Sequence, residues 1–304
     1  MNAMKKHRKA SPGDRILDAV IYFVLILLAA ACLYPLYQVL VVSVSDPAVV
    51  MKKNGLMLLP EGVHFDAYQI VFSNKNIATG FLNTLFYIVV GTGLQFLTTV
   101  TAAYALSKKN VLLKKPIMVY FTITMYFGGG IIPFFLLINQ MHLMNTPWAI
   151  LLPGACSVWN IIIMRTQFTN IPDGLKEVAM IDGASDFTIL SRILIPLSGS
   201  VIAVLVLFSA VGYWNMWYEP MIFLTERAQY PIQSVLREIL IDSSTQMMAG
   251  AGNVQTRFNV KTNAAAQTLV KYANIIVCTV PILVIYPFLQ KYFVKGVMVG
   301  SLKG

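Results

Sequence analysis

Six apolar runs, each close to the length that crosses a bilayer, leave this chain little choice of fold. They cover roughly Leu17–Val44, Phe81–Leu106, Pro116–Ile138, Trp148–Met164, Leu197–Leu224 and Leu269–Leu289. About twenty apolar residues span the hydrocarbon as a helix, and lipid admits only helices or closed barrels, because no water is there to satisfy backbone polar groups. Of the 304 residues, 57% are hydrophobic and 12% are charged. A typical soluble domain carries about twice that charge fraction. The expected fold class is therefore all-α integral membrane, with six transmembrane helices. The first run follows a basic tail as a signal peptide would, but it is too long for one. Ala29-Ala30-Ala31-Cys32 is faintly like a lipoprotein box, yet the apolar run continues well past Cys32. Pro35 is tolerable there as a kink.

The net charge of +10 does not point to nucleic acid, because the basic residues cluster beside the apolar runs. Lys5, Lys6, Arg8, Lys9 and Arg15 precede the first run. Lys108, Lys109, Lys114 and Lys115 crowd the turn after the second, and Lys291 and Lys295 follow the sixth. That is the positive-inside pattern, with both termini cytoplasmic. Lys52, Lys53, Arg227, Arg237, Arg257 and Lys261 fall in outer segments, which long loops permit. The domain organisation follows: a cytoplasmic basic tail (1–16), a six-helix domain (17–292) with an outer segment at 225–268, and a cytoplasmic C-terminal tail (293–304). Outside, short helices are expected near Phe65–Tyr68 and over Tyr230–Ile241, with an irregular Met247–Thr262. In the third run, Gly128-Gly129-Gly130 and Pro133 break the helix, and such a break must be buried in protein or face a cavity. Gly91 and Gly93 suit close helix packing. Cys32, Cys156 and Cys278 all lie in apolar runs without metal-ligand spacing and read as small buried hydrophobes.

Catalytic signatures are missing. No G-x-x-x-x-G-K-[ST] occurs, so the chain cannot cradle nucleotide phosphates by that loop. His7, His64 and His142 are far apart, and no zinc-hydrolase motif, nucleophile elbow or triad can be assembled. The expectation is a non-catalytic chain with no bound metal or cofactor. Ionisable residues within the runs are few, Glu219 being the exception. Proton-coupled carriers need such groups at depth, so the pattern favours an external motor. Gln38, Asn83, Gln95, Asn160, Asn215 and Asn274 lie within the runs, either as interhelical hydrogen bonds or as substrate contacts. Tyr213 to Tyr218 reads as an aromatic belt at the outer interface. Asn215 and Glu219, beside Trp214 and Trp217, equally suit a sugar path, since a flat apolar face with hydrogen-bonding groups fits a sugar.

The inner loop Ile171–Pro196 is unlike a plain connector. Asp173 can N-cap a short helix reaching Met180 or Ile181. Gly183 sits where a positive φ often follows a helix end, and Ser185 can cap a second helix with Asp186 in its first turn. Val178, Ala179, Met180, Ile181, Phe187, Ile189 and Leu190 make it an apolar knob, and such a knob in water calls for a partner. Glu177-Val178-Ala179, three residues, Gly183, nine residues, then Ile193-Leu194-Ile195-Pro196 resembles the E-A-A-x3-G-x9-I-x-L-P loop of ABC-importer permeases. Val178 and Ile195 depart from it by apolar swaps.

That resemblance extends along most of the chain. Gly129-Gly130-Ile131-Ile132-Pro133, Leu143-Met144-Asn145-Thr146, Ile171-Pro172 and Trp214-Asn215 are similar to the carbohydrate branch of type I ABC importers. The tail (Gln290, Phe293, Gly296, Gly300, Lys303, Gly304) resembles that of the maltose importer's second membrane subunit. Pro231–Leu240 resembles permeases for complex or uronate oligosaccharides. The resemblance implies the type I importer permease fold in the bacterial cytoplasmic (inner) membrane. It implies a second permease subunit in a heterodimer, two ATP-binding subunits that use ATP and Mg, and an extracytoplasmic solute-binding protein. It assigns ATPase coupling to Glu177, Ala179, Asp182, Gly183, Ala184, Ile193 and Pro196, with Glu177 anchoring the knob and Gly183 permitting the bend and close approach. It directs Gly296, Gly300 and Gly304 toward the ATPase. The implied cargo is an oligosaccharide, acidic uronate oligomers included. A permease for an amino acid, peptide or phosphate stays open at this point, as does a membrane protein without a transport role.

Overall fold

The computed structural model describes residues 12–53, 57–249 and 268–284. Among these, every regular element is helical. In chain order they are α1 (Pro12–Ser43), α2 (Pro47–Lys52), α3 (Asp66–Ser73), α4 (Lys75–Ser107), α5 (Lys114–Tyr126), α6 (Ile131–Gln140), α7 (Trp148–Gly154) and α8 (Val158–Asn170). Then come α9 (Asp173–Ile181), α10 (Asp186–Ile189), α11 (Ile195–Leu197), α12 (Gly199–Trp214), α13 (Tyr218–Phe223), α14 (Ile232–Ala249) and α15 (Thr268–Val284). Among the described residues, three helical stretches are long and apolar enough to cross a membrane: Gly13–Ser43, Lys75–Ser107 and Trp148–Asn170. The number rises to five if the bent pairs α5–α6 and 186–214 each count as one span. Thr268–Val284 is a shorter apolar helix whose expected continuation to Leu289 lies outside the described residues.

Contacts divide the chain into two units, one from residues 1–71 and 243–276, the other from 72–242 and 277–304. In the first, the Ser43 hydroxyl at the end of α1 meets the Tyr68 hydroxyl of α3 at 2.7 Å. Asp46 caps α2 by accepting from the Ala48 and Val49 amides.

The second unit is built on α4, which packs against both α8 and α12. Gln95 of α4 donates to the Gly154 carbonyl at 3.0 Å, and Arg165 of α8 donates to the Leu106 carbonyl at 3.1 Å. Both pairs advance together, so α4 and α8 run parallel, with α5–α6 as the return between them. α12 runs the other way: its Ser209 donates to Gln95 and its Tyr213 lies over Gly91. A side chain at Gly91 would overlap the Tyr213 ring, so this glycine is demanded by close approach, whereas nothing lies within 4 Å of a Cβ at Gly93. Some of the in-span amides serve as ties between segments, whereas Asn215 and Asn274 donate to the carbonyl four residues back. Gln95, Ser209 and Asn160 join α4, α12 and α8, with Asn160 donating to Ser209 at 3.4 Å. Asn83 donates to the carbonyls of Ala228 and Tyr230, and Thr84 accepts from the Ile232 amide at 2.8 Å. The segment before α14 is thereby strapped to the first half of α4. Asn145, at φ 58°, accepts from the Thr225 and Glu226 amides and locks the turn before α7 to the turn after α13.

The third run is broken at its glycines, bending by 115° between α5 and α6, and these glycines are exposed in this chain taken alone, with Gly130 at φ 81°. Other expectations need correction. The fifth run is interrupted twice, by an 85° bend at Ser198 and by Asn215–Trp217 between α12 and α13. Tyr213 and Trp214 are not an interfacial belt: both are buried, Trp214 tilted against Phe81 with ring centroids 6.1 Å apart. Helical hydrogen bonding carries α14 to Ala249, into the stretch expected to be irregular. Cys278 is buried, but Cys32 and Cys156 are exposed in the chain taken alone.

Candidate functional site

The 171–196 elbow forms as two short helices, for legible local reasons. Pro172 precedes α9 in an extended conformation, and Asp173 occupies the first turn instead of the capping position expected for it. At the far end, the Ala184 amide donates to the Ala179 carbonyl at 2.9 Å and the Gly183 amide to the Met180 carbonyl at 3.1 Å. This is the paired closure of a glycine-terminated helix, and Gly183 has φ 80°. Ser185 caps α10 by accepting from the Thr188 amide. Leu190–Leu194 then widens into a π turn. The cause is Pro196, which has no amide to donate and whose ring would meet the carbonyl four residues back.

One face of the elbow is fastened to the bundle. Ile189, Leu190 and Leu194 are buried with Ala103, Met164, Phe168 and Leu205, while Ala179 and Ala184 pack at the margin. Charge adds a second fastening. Lys108 lies 2.6 Å from Asp186, whose other oxygen accepts from the Tyr104 hydroxyl at 2.7 Å. Lys109 lies 2.7 Å from Asp173, and Lys176 lies 3.3 Å from the same carboxylate while donating to the Phe168 carbonyl. Hydrogen bonding from Lys109 and Lys176 holds the Asp173 carboxyl below its ordinary range. Lys108, then Tyr104, do the same for Asp186. Asp173 in turn holds Lys109 above the ordinary lysine range. Read as topology markers alone, Lys108 and Lys109 were missed as clamps. The available signal was an acidic residue in the first turn of each elbow helix.

The opposite face is bare. Ile181 is 85% exposed and Phe187 77%, and Val178 and Met180 are exposed beside them. Glu177 is exposed and makes no hydrogen bond or ion pair among the described residues, so Asp173 and Asp186, rather than Glu177, anchor the elbow within this chain. Asp182 ends α9 on the exposed side, Ile193 is half-buried in the π turn, and Pro196 is exposed. A Cβ at Gly183 would meet nothing within 4 Å, so any close approach there comes from outside the chain. Gly296, Gly300 and Gly304 lie outside the described residues.

At the other end of α12 lies an open cavity of about 670 Å³. Helix α12 joins it to the elbow: its start, Gly199, follows the elbow, and Phe208, Ser209, Gly212 and Tyr213 toward its end line the cavity. Its walls include Asn215, Glu219, Trp217 and Tyr218, with Gln95 and Asn160 deeper along the helices. Trp214, expected with them, is turned into the core and does not line it. Trp217 takes that place. Its carbonyl accepts from Ser234 at 3.1 Å, and the Arg237 guanidinium lies 4.4 Å from its ring centroid. No local pattern could have paired two residues twenty positions apart. Among the described residues no cluster of His, Cys, Asp and Glu could hold a metal ion.

Comparison with known proteins agrees with this architecture. Residues 95–299 match the family described as binding-protein-dependent transport system inner membrane component. The chain is 37% identical to the polygalacturonan/rhamnogalacturonan transport system permease protein YtcP of Bacillus subtilis, over 96% of this chain and 99% of that one. It is also 37% identical to protein LplC of Bacillus subtilis, covering 84% of each chain. It superposes with a TM-score of 0.83 on a chain of a bacterial ABC transporter involved in the import of the acidic polysaccharide alginate, at 32% identity, covering 94% of this chain and 99% of that one.

Proposed function

The chain belongs to the binding-protein-dependent transport system inner membrane components, and from that premise we propose that it is the coupling permease of an importer for acidic oligosaccharides. As a member of the family it is a non-catalytic, multi-pass component of the inner membrane that works with a solute-binding protein in an ABC transporter for carbohydrate. The proposed cargo is a uronate-type oligomer, because the similar proteins carry polygalacturonan or alginate in their names.

The observation that carries the coupling role is the two-faced elbow. Its inner face is packed and clamped to α4 and α8, and its outer face presents Ile181 and Phe187 to solvent. An ATP-binding subunit gripping that outer face would pull on α8 and α12 together, and α12 ends at the cavity. Two ATP-binding subunits, which alone use ATP and Mg, would drive the cycle. Glu177, Asp182 and Gly183 face the same way and would belong to that contact. A second permease subunit is supported by the α5–α6 break, since exposed backbone at Gly128–Gly130 cannot face lipid. Residues 17–292 would form six spans with both termini cytoplasmic: α1, α4, α5–α6, α7–α8, α12–α13 and α15 with its continuation. The parallel course of α4 and α8, with α12 opposed, supports that alternation. Tails 1–16 and 293–304 would lie inside, the latter toward the ATPase. The test is co-purification. Ile181→Asp with Phe187→Asp should still insert but lose the ATP-binding subunits, and full retention of them would overturn the reading.

A further inference from the structure

We infer that Arg237, laid over the cavity-lining Trp217, is a specificity-determining residue that reads the carboxylate of an anionic sugar. The inference rests on the reading of the chain as a permease for acidic oligosaccharides and names the residue that would tell acidic from neutral cargo.

Three features single out this arginine. The first is its lack of an acidic partner. Glu238, its neighbour on α14, is taken by Arg227 at 2.6 Å, and Arg237 makes no ion pair among the described residues. The second is its support. The guanidinium is stacked on an indole, and Ser234, one turn earlier on α14, holds the Trp217 carbonyl. Arginine can stack through its flat face and still offer its N–H edge, two donors abreast, to a carboxylate. A guanidinium already held in place loses less conformational freedom on binding. The third is location: Trp217 lines the cavity, beside Asn215 and Glu219. No Lys or Arg lines the cavity itself among the described residues, so a uronate ring against these aromatics would find its positive charge in the guanidinium held on Trp217, while Glu219 would disfavour other placements of the anion. A neutral hexose offers nothing that needs the guanidinium. Selectivity would thus come from one charge-assisted, bidentate contact.

The experiment uses the complete transporter with its binding protein, reconstituted in liposomes and supplied with a galacturonate oligomer or its neutral methyl ester. Arg237→Gln should raise KM for the acid about tenfold, the scale of one lost charge-assisted contact, and leave uptake of the ester as in the wild type. Arg237→Lys, which keeps the charge without the planar fork, should fall between. Equal losses for acid and ester, or weaker docking of sugar-free binding protein, would assign Arg237 to structure or docking and overturn the inference. So would an unchanged KM for the acid. A wild-type complex that carries no acidic oligomer would overturn the functional reading itself, which distinguishes the two failures.

Discussion

Replacing Gly183 by alanine tests the elbow with a known perturbation. At φ 80°, and with nothing within 4 Å of an added Cβ, the methyl group meets no neighbour in this chain. The whole cost is backbone strain, about 1–2 kcal/mol for a left-handed L-residue. If that strain opens the closure at Ala179 and Met180, the properly bent elbow is depopulated by roughly 5- to 30-fold relative to the opened form. Asparagine tolerates the left-handed region better than alanine, so Gly183→Asn should retain more function despite its larger side chain. The assay is sugar-dependent uptake by the reconstituted complex, with insertion checked by the amount of chain in the membrane. The expected order is Gly, then Asn, then Ala. Wild-type uptake by Gly183→Ala would refute the conformational argument. Asparagine worse than alanine would show that space for a partner, not φ, fixes this residue.

Two further outcomes follow from the packing and the charge. Gly91→Ala should destabilise the bundle by about 1–3 kcal/mol through overpacking against Tyr213. Thermal unfolding in detergent should show that the penalty largely disappears in a Tyr213→Ala background, and strict additivity of the two changes would refute direct contact. The clamps should be acid-sensitive. Because Asp173 and Asp186 have lowered pKa values, their contribution is present above the ordinary carboxylate range and is lost as pH falls through the lowered values. The protection factors of the α9 amides, with the intrinsic pH dependence of exchange removed, should therefore be flat near neutrality and fall in acid, and the fall should shrink in Asp173→Asn with Asp186→Asn. High salt should weaken the same clamps at neutral pH, since these exposed pairs are screened.

The helices and the elbow were legible because their causes are local. Apolar run length marks a span, a glycine after a helix marks its end, and Ser185 advertises its own cap. The same locality explains the failures. Asp173 has the chemistry of a capping residue, yet two lysines compete for its carboxylate, one of them 64 positions earlier in the chain. Trp214 and Trp217 are three residues apart in one aromatic cluster, and sequence offers no way to say which ring enters the core. The break between α12 and α13 turns one inward and the other toward the cavity.

By itself, then, the order of residues determined that this is a helical membrane chain with a bent apolar loop, because hydrophobic length and backbone preference act over a few neighbours. The tertiary structure alone decided which face of that loop is fastened, which glycine is squeezed, and that Arg237 meets Trp217. Those are contacts between segments far apart in the chain, and only packing brings them within reach.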